Sequence, residues 1–353
     1  MKRMSVALVL LTILAGPPAW AYVHRESVEK TIPVDGRTAI SVSNPSGLIK
    51  VRPVDGAVVA LEATKVAKAT NEGAARELAE QVKVRIVEGS DEIEIKVEIP
   101  SRFERGSGIS DFLGIGTRRQ VEVELYIQVP PSMKVKLATA SGDVDVEGVE
   151  AGGDIDAASG DVWVSGCSGD FTVGVASGDA EVAGIRGNLS ISSASGGLSI
   201  RDIRGSVEVS IASGDFVGRM IEGTFSLDGA SGDVTVEECK GEVDVDTASG
   251  DVWLKDVVSE LSVNTSSGDV TAYTRADGVP SVDISCSSGD IELSLPETGS
   301  YRLEIGTVSG SIHCKVPLSV EKVTRHELRG KVGSAKGSVN LNTSSGDIKV
   351  HVG

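Results

Sequence analysis

Aspartates that recur at a fixed interval are the residues of this sequence with the clearest chemical potential. Each follows a serine and a glycine at the same place in a repeat, and the series comprises Asp143, Asp161, Asp179, Asp215, Asp233, Asp251, Asp269, Asp290 and Asp347. If the repeats stack as strands about 4.8 Å apart, neighbouring carboxylates repel each other by roughly 1 kcal/mol even in water. Some partner must therefore compensate these charges.

Two kinds of partner are plausible for the aspartates. In the first alternative, the carboxylates accept hydrogen bonds from backbone N–H groups of the turn beside the Ser-Gly pair. In the second, Ca²⁺ ions lie between the repeats, as in calcium-binding rolls with 18 residues per turn. Those rolls carry a double glycine and an aspartate in both half-repeats, and this sequence has neither. Hydrogen bonding is therefore favoured, and the alternative is a calcium ladder along Asp143, Asp161, Asp179, Asp215, Asp233, Asp251 and Asp269.

Large apolar side chains at outward positions are the candidates for contact with a partner. Trp163 and Trp253 share one position of the repeat, five repeats apart, and either anchor a partner or cover neighbouring backbone, the second being favoured. Residues 101–120 form a glycine-rich stretch that contains Phe112 and Leu113 between arginines. This stretch is a partner-binding loop or, as the favoured alternative, a plain surface connection.

Catalysis and disulfide bonding have little support in the sequence. The four histidines, His24, His313, His326 and His351, are not spaced as a metal site or a catalytic triad, and outward acids are too abundant to mark an active site. Cys167 and Cys239 occupy an apolar repeat position four repeats apart, too distant for a disulfide, so only Cys286 and Cys314 are near enough to consider. We predict a non-enzymatic protein with mostly buried thiols and no cofactor besides the calcium alternative.

Charge and the N-terminal residues restrict the partners and the location. The 353 residues include 34 basic and 51 acidic side chains, for a formal net charge of −17, which excludes nucleic acid as a partner and disfavours adhesion to an anionic membrane. Residues 1–21 have two basic residues, an apolar run and an Ala-Trp-Ala end, the pattern of a cleaved secretory signal peptide. We expect an exported chain, periplasmic or extracellular, with no membrane insertion after cleavage.

The repeat determines the predicted fold. Ser-Gly-Asp or a close variant begins at Ser141, returns every 18 residues to Ser267, and then recurs at Ser288, Ser309 and Ser345. Counting the serine as position 1, apolar residues occupy positions 4 and 6 and again 13 and 15, which indicates two short strands per coil with a shared core. Position 11 is usually glycine, which turns the corner between them. Residues 141–353 therefore form an all-β, parallel β-helix of about 18 residues per coil, with right-handed winding favoured.

Residues 22–140 are predicted to cap this array. Ile49 and Val51 fit the first strand of a coil, and Val58 and Ala60 fit its second strand. Residues 71–82 are typical of a short helix, with Asn71 as its N-cap. Alternating runs at 84–87, 93–99 and 121–129 indicate longer strands, and residues 133–140 fit the second half of a coil.

The sequence also resembles a known family. The early Asn-Pro-Ser-Gly-Leu-Ile-Lys-Val coil, the helix, the Val-Pro-Pro-Ser-Met-Lys-Val strand end and the serial Thr-Ala-Ser-Gly-Asp-Val units resemble the bacterial β-strand-repeat family of unknown function often labelled putative adhesins. The resemblance implies a parallel β-helix and brings no catalytic residues. On this basis we expect an envelope or surface binding module whose partner is an envelope polymer or a surface protein. A structural or sensing scaffold is the alternative, and a carbohydrate-active enzyme is the third.

Overall fold

Two sheets of mainly parallel strands face each other in the computed structural model, which describes residues 22–100, 120–275 and 281–353. The chain alternates between the sheets, so that each coil gives one strand to each. The elements in chain order are β1 (Tyr22–Pro33), β2 (Ala39–Ser46), β3 (Ile49–Pro53), β4 (Val58–Ala69), α1 (Glu72–Gln81), β5 (Lys83–Glu88), β6 (Glu92–Glu98), β7 (Gln120–Val129), β8 (Lys134–Ser141), β9 (Val144–Glu147), β10 (Gly153–Ala157), β11 (Val162–Ser165), β12 (Phe171–Val175), β13 (Ala180–Arg186), β14 (Leu189–Ser193), β15 (Leu198–Arg204), β16 (Val207–Ile211), β17 (Phe216–Glu222), β18 (Phe225–Gly229), β19 (Val234–Cys239), β20 (Val243–Ser249), β21 (Val252–Val257), β22 (Leu261–Ser267), β23 (Val270–Thr274), β24 (Ser281–Ser288), β25 (Ile291–Leu295), β26 (Tyr301–Ser309), β27 (Ile312–Cys314), β28 (Ser319–Val323), β29 (Glu327–Val332), β30 (Gly337–Ser345) and β31 (Ile348–Val352).

Sheet 1 contains the strand that comes directly after the Ser-Gly-Asp turn in each coil. It has 15 strands, in the spatial order β1-β4-β7-β3-β9 and then every odd strand to β25, followed by β31 and β27. Sheet 2 precedes the turn and has 16 strands, in the order β28-β29-β26-β30-β24, then the even strands down to β8, followed by β2, β6 and β5. The predicted all-β parallel solenoid is confirmed, while its right-handed winding stays a prediction.

The 18-residue repeat sets the register of the parallel strands. Val162 lies opposite Val144 on one side and Ala180 on the other, and the same spacing relates Phe171 to Leu189 in sheet 2. Because successive coils align without slippage, each repeat position becomes a column of side chains along the long axis. Inward columns are buried valine, isoleucine, leucine and phenylalanine, so one apolar core runs between the sheets.

Antiparallel strands close the N-terminal end. β4 pairs with β1 and with β7 in sheet 1, and β5 pairs with β6 in sheet 2. Helix α1 packs on this end through Ala75, Leu78 and Ala79, and the Oδ1 atom of Asn71 accepts a hydrogen bond from the N–H of Ala74 at 2.8 Å. The predicted single helix of the cap is therefore present, and the terminal parallel strands are covered rather than left as open edges.

The assignment of Val58 and Ala60 to the second strand of the first coil is wrong. Both residues lie in β4, which returns through sheet 1 antiparallel to β1. The spacing of these residues matched the repeat by chance, because the side chains of β4 that are buried in the core here are Val59 and Leu61, and Val58 and Ala60 lie on its other face. The second sheet receives its strands of this end from β2 and β6 instead.

The C-terminal coils do not stack in chain order. β30 lies between β24 and β26, and β31 lies between β25 and β27, so the last coil of the chain is inserted ahead of the one that precedes it. The antiparallel pair β28–β29 then extends sheet 2 beyond β26. The long interval between Ser309 and Ser345 holds this hairpin and the return of the chain.

Candidate functional site

The aspartate column forms a ladder of hydrogen bonds between coils. The backbone N–H of Asp251 donates to Oδ1 of Asp233 at 2.9 Å, and the N–H of Asp269 donates to Oδ1 of Asp251 at 2.8 Å. The same bond recurs at Asp143, Asp161, Asp179, Asp215, Asp269, Asp290 and Asp347. Each donor belongs to the next coil, whereas the sequence argument places it in the turn of the same coil. The carboxylates thus connect neighbouring coils.

The calcium alternative has no further support from the geometry. Among residues 22–100, 120–275 and 281–353, no group of three or more His, Cys, Asp or Glu side chains is placed to hold a metal ion. A second, shorter ladder uses the same bond with an amide: the N–H of Ser206 donates to Oδ1 of Asn188 at 3.0 Å. Since an uncharged oxygen serves equally well there, the ladder requires an acceptor rather than a charge.

This equivalence predicts the effect of substitutions at Asp233. Asp233→Asn keeps the acceptor and removes repulsion from Asp215 and Asp251, so we expect unfolding free energy to stay within about 0.5 kcal/mol of the parent or to rise. Asp233→Ala leaves the N–H of Asp251 without this acceptor and should lower the unfolding free energy by about 1 kcal/mol. Urea denaturation followed by circular dichroism measures both. Equal losses in the two variants would contradict a role as hydrogen-bond acceptor.

A groove runs along the outer face of sheet 2, beside the Ser-Gly-Asp turns. It has a volume of about 2200 Å³ and crosses twelve coils, which corresponds to a length of about 50 Å at 4.8 Å per coil. Positions 16, 17 and 18 of successive coils line it, and position 18 is alanine in seven neighbouring coils: Ala140, Ala158, Ala176, Ala194, Ala212, Ala230 and Ala248. The small side chains leave the space open along the whole row.

Position 17 underlies the groove, and its side chains are buried on the core side of sheet 2 together with those of positions 13 and 15. In the C-terminal half, threonine hydroxyls of this column donate to nearby backbone carbonyls, as Thr247 does to Ser249 at 3.2 Å and Thr265 to Ser267 at 3.3 Å. In the N-terminal half the equivalent atoms have no such partner. These are Oδ1 of Asn44, Oγ1 of Thr139 and Oγ of Ser193, on residues that are 0%, 6% and 4% exposed.

In the side-chain amide of Asn44, the oxygen is the atom without a hydrogen-bond partner. Its Nδ2 donates to the carbonyl oxygens of Val123 at 2.8 Å and of Gly47 at 3.1 Å, so the amide orientation is set and Oδ1 is an acceptor without a donor. Five buried side-chain atoms of the described residues lack a hydrogen-bond partner, and all five lie on residues that line the groove. One of them, Oε1 of Glu327, has an ion pair with Arg329. Such a concentration is unusual, because buried polar atoms are normally satisfied.

The chain matches a known protein family over nearly all of its length. The family model described as Toastrack DUF4097 matches residues 21–217 and 170–351. The chain belongs to this family. Its name is consistent with stacked coils, and the family resemblance inferred from the repeats is supported to that extent.

Solved structures similar to this Toastrack chain cover most of its length at low identity. A "putative cell adhesion protein" from Clostridium sporogenes is 9% identical with a TM-score of 0.21, covering 94% of this chain and 100% of its own. A "putative lipid binding protein" from Parabacteroides distasonis is 13% identical with a TM-score of 0.33, covering 92% and 96%. A "putative adhesin" from Bacteroides fragilis is 11% identical with a TM-score of 0.28, covering 92% and 97%. No curated protein matches the chain.

Trp163 and Trp253 of this Toastrack domain lie on sheet 1, on the opposite side from the groove. Trp163 is 39% exposed on β11, between Asp145 and Glu181 of the adjacent strands. Trp253 is half-buried and packs edge-on against Tyr273, with ring centroids 6.3 Å apart. The structure therefore does not bring Trp163, Trp253 and the groove into one site. Phe112 and Leu113 lie outside the described residues, as do residues 1–21.

Charged side chains next to Trp163 are held by ion pairs. Asp145 contacts Arg52 at 2.5 Å and Lys50 at 3.3 Å. Partial burial acts to raise the pKa of Asp145, but the hydrogen bond and charge of Arg52 outweigh it and keep that pKa below its usual range. A carboxylate held ionised in this way is a structural partner rather than an acid catalyst.

The cysteines are all free. Cys167, Cys239 and Cys286 are buried, and Cys314 is half-buried. The pair considered from sequence is not bonded, since Cys286 lies in β24 of sheet 2 and Cys314 in β27 of sheet 1. Burial raises the pKa of the Cys167 and Cys239 thiols, which keeps them protonated and unreactive near neutral pH.

Sequence reasoning missed the groove residues. The run of alanines at position 18 was the available signal, because a repeat position that stays small on an exposed surface marks a place where nothing large fits. The depth beside that column depends on how the chain bends into the turn, and residue types alone do not show it.

Within residues 22–100, 120–275 and 281–353, no helix is long and apolar enough to cross a membrane.

Proposed function

We propose that this chain is an exported, non-enzymatic binding module of the cell envelope that holds an extended, linear partner along the groove of sheet 2. The observation that carries the proposal is the continuous groove across twelve coils, which is bordered by alanine at position 18 in seven neighbouring coils. A ligand laid along the axis meets the exposed side chains of positions 16 and 18 at successive coils, where the small alanines leave room for it.

The shape of the groove supports a linear partner over a small molecule. Small-molecule sites are concave pockets closed on most sides, whereas this groove is open along its length and offers the same three repeat positions at every coil. A polymer repeats its own contacts in the same way, so that several weak contacts add along one chain. Export follows from the predicted signal peptide at residues 1–21, and it places the partner in the periplasm or outside the cell.

Groups at the C-terminal end of the groove favour binding over catalysis. Glu327 has ion pairs with Lys322 and Arg329, and the hydrogen bond from Lys322 is the main cause that lowers the pKa of Glu327 below its usual range. A general acid needs the opposite shift, toward the working pH. The other carboxylates with shifted pKa values, Asp145 and Glu222, are also shifted downward.

Filling the groove tests the proposed function. The purified protein is sedimented with isolated cell-wall sacculi and with insoluble polysaccharides, and released sugar is measured in the supernatant. We expect retention without product, reduced about tenfold by Ala194→Gln/Ala212→Gln, which fills two neighbouring coils of the groove. The control Ala183→Gln/Ser199→Gln adds the same side chains to sheet 1 and should bind like the parent.

Two outcomes would contradict the proposal. Retention that is insensitive to the groove variant places the binding surface elsewhere, and Trp163→Ala and Trp253→Ala then test sheet 1. Released sugar that depends on the groove identifies an enzyme. Circular dichroism and thermal melting confirm that each variant is folded before its retention is compared.

A further inference from the structure

The charges along the groove indicate the chemistry of its occupant. Six carboxylates line it, on Asp156, Asp228, Asp246, Asp283, Glu304 and Glu327. Arg329 is the one arginine of the lining, and it lies 2.6 Å from Glu327 and 4.0 Å from Glu304. The four aspartates are exposed, and none has an ion pair among the residues that the structure describes. The groove is therefore acidic, and its four aspartates have no counter-charge within the described part of the chain.

Two of these aspartates repel each other directly. Asp228 and Asp246 are cross-strand partners on β18 and β20, where like charges destabilise a sheet. Elsewhere the chain matches adjacent acids with bases: Arg219 pairs with Glu237 at 2.8 Å, and Lys240 pairs with Glu222 at 2.6 Å, each across one coil. The stacked aspartates of the Ser-Gly-Asp column also lack basic partners among the described residues, but each accepts a backbone hydrogen bond. A cationic partner in the groove would relieve the repulsion between Asp228 and Asp246.

The remaining lining favours a polypeptide over a glycan. None of the described residues that line the groove is Phe, Tyr or Trp, whereas sugar rings are commonly bound by stacking on aromatic side chains. The alanines at position 18 leave room for a backbone to approach closely.

We propose that the groove binds an extended polypeptide segment rich in lysine or arginine, an inference that rests on the proposed function. The basic side chains of the segment neutralise Asp156, Asp228, Asp246 and Asp283, which are exposed along the groove. At about 3.3 Å per residue, roughly 15 residues span the groove. The exposed carboxylates set the charge of the partner, and the alanines at position 18 leave room for its main chain.

Fluorescence anisotropy with a labelled 15-residue peptide of alternating Lys and Thr tests this inference. Matched peptides with Gln or Glu in place of Lys are the charge controls. We expect binding of the Lys peptide only, weakened about tenfold or more between low and physiological salt. Asp228→Asn/Asp246→Asn should weaken it about tenfold, while Glu150→Gln/Glu181→Gln, which removes the same charge away from the groove, should change it less than twofold.

The outcomes separate this inference from the proposed function. Equal weakening in the two double variants shows unspecific attraction to an acidic protein and overturns the inference, as does the absence of binding by the Lys peptide. In either case the proposed function still stands if Ala194→Gln/Ala212→Gln abolishes retention on sacculi. If the groove-filling variant leaves both retention and peptide binding unchanged, both proposals fail.

Discussion

Gly214→Ala is expected to destabilise the whole solenoid by at least about 3 kcal/mol, although it adds one methyl group. Gly214 is the second residue of a Ser-Gly-Asp turn and has a φ of +129°, which disfavours any residue with a side chain. A Cβ atom at this position would also overlap the carbonyl oxygen of Gly196 in the preceding coil. The overlap involves backbone on both sides, so no rotamer change relieves it.

Hydrogen bonds hold the backbone in place around Gly214. The N–H of Gly214 donates to Ser231 of the next coil at 3.2 Å, and the N–H of Gly196 donates to Ser213 at 3.3 Å. Moving Gly214 away from Gly196 would therefore stretch contacts with both neighbouring coils. Because each coil is stabilised by its two neighbours, a defect in a central coil weakens the interfaces on either side of it.

Gly166→Ala is the matched control for this prediction. Gly166 has a φ of +60°, but a Cβ there meets no atom within 4 Å. The same repeat position carries Asp202 and Glu238 in later coils, with φ values of 53° and 59°. We expect a cost of about 1 kcal/mol for the left-handed conformation alone. The midpoints of urea unfolding compare the variants, and similar losses at Gly214 and Gly166 would refute the overlap argument.

The regular part of this fold was predictable because each coil repeats the same physical solution. A spacing of 18 residues between Ser141 and Ser267 admits one parallel register, and alternation within each half-coil assigns the inward side chains. The helix was predictable as well, since Asn71 and the apolar residues after it form a local signal. Local patterns of this kind depend on residues that are neighbours in sequence.

Both ends of the solenoid were beyond such patterns. Inserting β31 between β25 and β27, or β3 between β7 and β9, changes which coils touch without changing the alternation of any strand. The choice is made by long-range packing that closes the exposed edges. The candidate site was missed for a related reason: Ala194 and Ser193 look like ordinary turn residues until twelve coils align them into one groove.

A change of core shape within one coil gives the second large expected effect. Positions 4 and 6 both carry aliphatic side chains in the neighbouring coils, but the coil that begins at Ser213 has the large Phe216 at position 4 and Gly218, without a side chain, at position 6. Both point into the core from β17, and a Cβ on Gly218 would lie 2.9 Å from Cε1 of Phe216. The phenylalanine ring occupies the space that a side chain at position 6 fills elsewhere, and it stacks on Phe225 with ring centroids 5.3 Å apart.

We expect Phe216→Val alone to lower the unfolding free energy by about 2–3 kcal/mol, because it leaves a cavity over Gly218. Gly218→Val alone should lower it by about 1–3 kcal/mol through overpacking against the ring. The double variant restores the residue pattern of the next coil, Val234 and Val236, and should lie within about 1 kcal/mol of the parent, the remainder reflecting the lost stacking on Phe225.

The double-mutant cycle decides whether the two positions compensate each other. Urea denaturation of the four proteins gives the coupling energy directly, and compensation requires the double variant to be more stable than either single variant. Strictly additive losses would show that a side chain at position 6 cannot fill the space left by a smaller residue at position 4. The glycine at 218 would then need another explanation. If the double variant regains the stability of the parent, the total side-chain volume in the core of a coil is what matters. A large residue at one position of the coil is then balanced by the absence of a side chain two residues away.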